Sequence, residues 1–98
     1  MSDKNRDDDF WEMTDEFINL ANKLCDSHRN GKVSNSILFS AARFNAFMYA
    51  STSKSKEEFT KEREMAIEFL TNQYKQVLTE NLSDYEKNFN DYVNKKEQ

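Results

Sequence analysis

The stretch ILFSAARFNAFMYA, residues 37–50, contains only three polar residues, Ser40, Arg43 and Asn45, in a chain whose residues are one-third charged. At about 100° per residue, Ile37, Ala41, Phe44 and Met48 form one face of a helix. Leu38, Ala42, Asn45 and Tyr49 form the next, and Phe39, Ala46 and Ala50 a third. Only a narrow strip with Ser36, Ser40, Arg43 and Phe47 is left for water. A helix apolar on nearly every side has to be covered on nearly every side. The stretch is therefore expected at the centre of a helical bundle, over residues 34–51 with Ser34 as N-cap. Truncating a buried Phe44 there would cost about 3–5 kcal/mol.

Flanking segments agree with an all-α fold. The chain of 98 residues has no proline and one glycine, Gly31, far too few turn formers for a β protein. Before Gly31, Phe10, Met13, Phe17, Leu20, Ala21, Leu24 and His28 recur at helical spacing, with Trp11, Ile18 and Cys25 widening the stripe. The spacing predicts a first helix over 10–30, capped by Asp9 with Glu12 and ended by Gly31 in a left-handed conformation. Residues 51–56, STSKSK, read as a linker. Ser55 and Glu58 form a capping box for a third helix over 56–80, with Phe59, Ala66, Ile67, Leu70, Tyr74, Val77 and Leu78 on one face. Ser83 and Glu86 offer another cap, so a short fourth helix is expected over 83–94. Leu82, Tyr85, Phe89, Tyr92 and Val93 continue the stripe in nearly the same phase and no Gly or Pro forces a stop, so one unbroken helix over 56–94 is the alternative. The expected architecture is three long helices plus a short C-terminal fourth in one domain, residues 8–95, behind a disordered polar tail at 1–7.

Composition excludes several classes. A net charge of −4 and a pI near 5.0 disfavour a nucleic-acid surface, which clusters Lys and Arg. The apolar stretch is shorter than the roughly 20 residues of a membrane span, and MSDKNRDDDF lacks the apolar run of a secretory signal. One cysteine forms no intrachain disulfide and suits the reducing cytosol.

Chemistry-bearing residues are sparse. Cys25 and His28 stand three apart on the expected first helix, as two metal ligands could, but zinc takes four and no further Cys or His exists. The plainer reading is a small thiol with a histidine in the last turn, where the helix dipole favours positive charge. Asp7, Asp8 and Asp9 lack the spacing and glycine of a calcium loop, and no nucleophile–base pair or glycine-rich phosphate loop is present. No catalytic, cofactor or metal residue is assigned. Arg43 and Asn45, among apolar neighbours, read first as a structural polar pair, with Asn45 bonded to backbone and Arg43 reaching a carboxylate or the rim. Alternatively, Arg43, beside Phe39 and Phe47, combines the residue types that dominate protein-binding hot spots, and these three form the candidate partner-binding set. Met65 and Phe69, off the main stripe of the third helix, could extend it.

The segments FWEMTDEFINLANKL, VSNSILFSAARFNAFMYA and AIEFLTNQYKQVLTENLSDYEKNFNDY together resemble the domain of unknown function 3144 family, small uncharacterised bacterial proteins. The resemblance spans about residues 10–92, most specifically ARFNAF and NLSDYEKNFNDY. It implies a compact helical protein of the bacterial cytosol and carries over no activity or catalytic residue. The sequence thus points to a non-enzymatic protein–protein interaction module, a homodimer being one form of it. A ligand or metal protein with a site near Cys25 and His28, and an acidic competitor of a basic nucleic-acid-binding partner, are the other readings.

Overall fold

The structure, a computed structural model, describes residues 5–94. It is all-α: three long helices, α1 Asp8–Leu24, α2 Asn30–Thr52 and α3 Lys56–Lys87, followed by a single π-helical turn, Asn90–Asn94. Residues up to Met48 form one compact unit and residues from Tyr49 a second, so α2 begins in the first and ends in the second.

In the first unit, α1 opens two residues earlier than the sequence indicated. Asp7 is the N-cap, and its carboxylate accepts the Phe10 amide at 3.0 Å. Asp8 and Asp9 then occupy the first turn, where the helix dipole favours negative charge. The tail expected at residues 1–7 is thus tied down at its end: Arg6 lies over the Trp11 ring, 5.8 Å from its centroid. The rest of that expectation lies outside the described residues.

The end of α1 corrects another expectation. The helix stops at Leu24, not near residue 30, with Cys25 as C-cap in the right-handed region. Asp26 and Ser27 close the turn, their amides donating to the carbonyls of Lys23 and Leu24 at 3.1 and 3.2 Å. The reason is local. Asp26 and Ser27 are poor helix formers, and the i to i−3 bonds of their amides tighten the last turn and end the helix. Gly31 is not a terminator: among the described residues none has positive φ, and Gly31 sits in the first turn of α2, which opens at Asn30, four residues ahead of Ser34.

The covered strip of α1 is narrow. Phe10, Thr14, Ala21 and Cys25 are half-buried, and lie within about 60° of one another around the helix. The larger Met13, Phe17, Leu20 and Leu24 flank that strip and stay exposed. Among the described residues only Val33, at 6% exposure, is buried. This overturns the expectation that α2 is enclosed. Ile37, Leu38, Phe39, Phe44, Phe47 and Met48 are all exposed, because a strip as narrow as that of α1 covers one side of a helix and α2 is apolar on three.

The second unit begins with the last residues of α2. Thr52 and Ser53 hydroxyls donate to the Tyr49 carbonyl at 3.2 and 2.8 Å, ending the helix inside the expected linker. Ser55 caps α3, accepting the Glu58 amide at 3.1 Å. The Glu58 carboxylate reaches back to the Lys54 amide, one residue before the partner that a capping box prescribes.

No break occurs at residues 81–83. There α3 continues for 32 residues, about 48 Å at 1.5 Å per residue. The Asn81 side-chain amide donates to the Val77 carbonyl at 2.8 Å, so a residue that could have opened a turn is absorbed into the helix. Termination comes at Asn88, whose amide and side chain donate to Asp84 O and Oδ1 at 3.0 and 2.9 Å. The expected fourth helix shrinks to the π turn.

Candidate interaction surface

Four-residue steps place Phe39, Arg43 and Phe47 on successive turns of α2, within one face. All three belong to the first unit. Phe39 is 71% exposed and Phe47 60%, and Arg43 between them is exposed as well. Among the described residues no carboxylate pairs with the guanidinium. The Phe47 ring meets Phe44 at a centroid distance of 6.2 Å, tilted by 39°, which extends the apolar surface around the helix. Asn45, on the adjoining face, is half-buried. The candidate set is therefore accessible: two aromatic rings bracket one cation that can form a planar, bidentate pair with an incoming carboxylate.

Met65 and Phe69 lie on α3 in the second unit, where with Tyr49, Glu62 and Ala66 they line a shallow, open groove. They are not an extension of the Arg43 face within one unit.

Cys25 and His28 do not share a helical face. Cys25 is the half-buried C-cap of α1, and His28 is exposed in the bend before α2. Among the described residues no cluster of three or more His, Cys, Asp or Glu could hold a metal ion. Asp7, Asp8 and Asp9 serve the start of α1. Sequence reasoning missed one polar assembly: the Tyr92 hydroxyl donates to Asp84 Oδ2 at 2.8 Å, and the Tyr92 ring lies 4.4 Å from that of Tyr85. The signal was the spacing of Asp84, Asn88 and Tyr92, each one helical turn after the last. The hydrogen bond to Asp84, then burial, then the charge of Asp84 raise the Tyr92 pKa above 10.0.

A family model described as "Protein of unknown function (DUF3144)" matches residues 10–85. The chain belongs to this family. The match takes in Phe39, Arg43 and Phe47 and nearly all of α3. The DUF3144 chain is also similar to a solved structure, "NMR structure of the protein NB7890A from Shewanella sp", with 28% identity and a TM-score of 0.73 over 91% of this chain and 95% of that one. No curated protein matches it. Among the described residues, no helix is long and apolar enough to cross a membrane.

Proposed function

We propose that this chain is a non-enzymatic protein–protein interaction module of the bacterial cytosol, docking a partner through Phe39, Arg43 and Phe47. The observation that carries the reading is the exposure of both phenylalanines on either side of an exposed guanidinium that pairs with no carboxylate among the described residues. Aromatic and arginine anchors supply a large share of binding energy when a partner excludes water from them. The partner this face suits is a protein segment that sets an apolar side chain against each ring and a carboxylate against Arg43. Such a pair gains strength as the surrounding rings keep water away.

The test uses the full chain as bait in cytosol from the source bacterium. Each retained protein is identified and purified, and its affinity is measured by titration calorimetry. Phe47→Asp and Arg43→Glu should each weaken that affinity by at least about thirtyfold, the scale of a hot-spot residue, with helicity by circular dichroism unchanged. Equal affinity for the variants and the parent chain overturns the reading. So does the absence of any protein that binds when purified.

A further inference from the structure

The α3 face that sequence reasoning assigns to a core is open along most of its length. Ile67, Tyr74, Leu78, Leu82 and Tyr85, followed by Phe89 just past the helix end, recur at three-, four- and seven-residue steps. At about 100° per residue they stay within one stripe of the helix. Every one of them is exposed, Leu82 to 61% and Tyr85 to 51%. The opposite side carries Glu62, Gln76, Glu80 and Lys87, together with the exposed Met65 and Phe69 near the start of the helix.

The stripe has two further properties of a buried seam. Thr71 is the small polar residue inside it, and Asn81, at its edge, already places one of its two amide hydrogens on the Val77 carbonyl of its own helix. Its far end is fixed by the hydrogen bond from Tyr92 to Asp84 and the Tyr85–Tyr92 ring contact. Both hold the stripe's terminal rings in place without a partner.

We propose that a second copy of this chain covers the stripe, the two α3 helices packing face to face in a symmetric dimer. The area decides for this occupant. With about 200–250 Å² for a large side chain fully extended, the exposed fractions of the six residues leave roughly 700 Å² open on each copy. Two such faces, when fully covered, bury at most about 1,400 Å², inside the range of about 1,200–2,000 Å² that stable, specific interfaces occupy. A near-continuous three–four spacing on a helix is complementary to itself: each protruding side chain finds a hole of the same pattern on its twin. In a two-fold arrangement each residue also acts twice. None of its residues belongs to the Phe39–Arg43–Phe47 set on α2.

Light scattering on the full chain at rising concentration should give twice 11.6 kDa. Leu82→Asp should raise the dimer dissociation constant at least about a hundredfold, because the charge enters the seam twice, whereas Phe47→Asp should leave the dimer intact. Should Leu82→Asp unfold the chain, Tyr85→p-benzoylphenylalanine replaces it: irradiation should yield a covalent dimer joined through α3. A parent chain that stays monomeric at all concentrations overturns the proposal. So does a dimer that survives Leu82→Asp while folded, or one that Phe47→Asp dissociates, or a crosslink confined to one chain or to a different protein.

Discussion

The phenol of Tyr92 donates a 2.8 Å hydrogen bond to Oδ2 of Asp84, eight residues earlier, across the point where α3 gives way to the π turn. The bond needs the protonated phenol, and it is the first cause of the raised Tyr92 pKa. A phenol that holds its proton more tightly when folded steadies the turn fully below its ordinary pKa of 10.0. That contribution is lost as pH rises through the folded value. Ultraviolet titration should therefore show one tyrosine ionising later than the others, and Asp84→Asn should bring it back toward 10.0. Four tyrosines titrating together would refute the assignment.

Ser55 carries the start of α3 through its hydroxyl. Ser55→Ala should lower stability by about 1 kcal/mol, and Ser55→Asp, which keeps an acceptor, should restore most of it. Thermal melts of the three chains provide the comparison. An alanine variant as stable as the parent would mean that the contact with Glu58 contributes nothing.

Phe44 is 62% exposed, so the loss of about 3–5 kcal/mol that a buried ring would show does not apply to it. Phe44→Ala should cost only about 1 kcal/mol, from the partly covered ring area and its contact with Phe47. Urea denaturation measures this directly. A larger loss would show that the α2 face is covered in solution.

Gly31 lies within α2 and a methyl group added to it would meet nothing within 4 Å. Gly31→Ala should raise stability by about 0.5–1 kcal/mol, because alanine restricts the unfolded chain and favours helix. A lower melting temperature would contradict the helical placement of this residue.

Helix identity was plain in the sequence because periodic apolar residues and the lack of proline leave few other folds for these segments. Ser55 with Glu58 announced the start of α3, and the structure bears it out. Boundaries set by competition were harder. Gly31 suggested a stop, yet α1 ends at Leu24 and the chain turns through Asp26 and Ser27 first. Ser83 with Glu86 suggested a start, yet nothing interrupts the ladder around Asn81. Periodicity also tells which residues can share a face, not whether anything covers it. Phe39, Arg43 and Phe47 were legible as a set for that reason. The openness of Phe44, and of the α3 stripe from Ile67 to Tyr85, was not. The link between Asp84 and Tyr92 depends on where α3 ends, which the pattern alone misplaced.

The division of the chain at Met48 and Tyr49 also sorts its chromophores. The single indole, Trp11, belongs to the first unit, and all four phenols, Tyr49, Tyr74, Tyr85 and Tyr92, belong to the second. Emission excited beyond the tyrosine absorption edge follows one half of the molecule, while phenol absorbance follows the other. Whether the halves melt together or in turn can thus be read optically, without attaching a label.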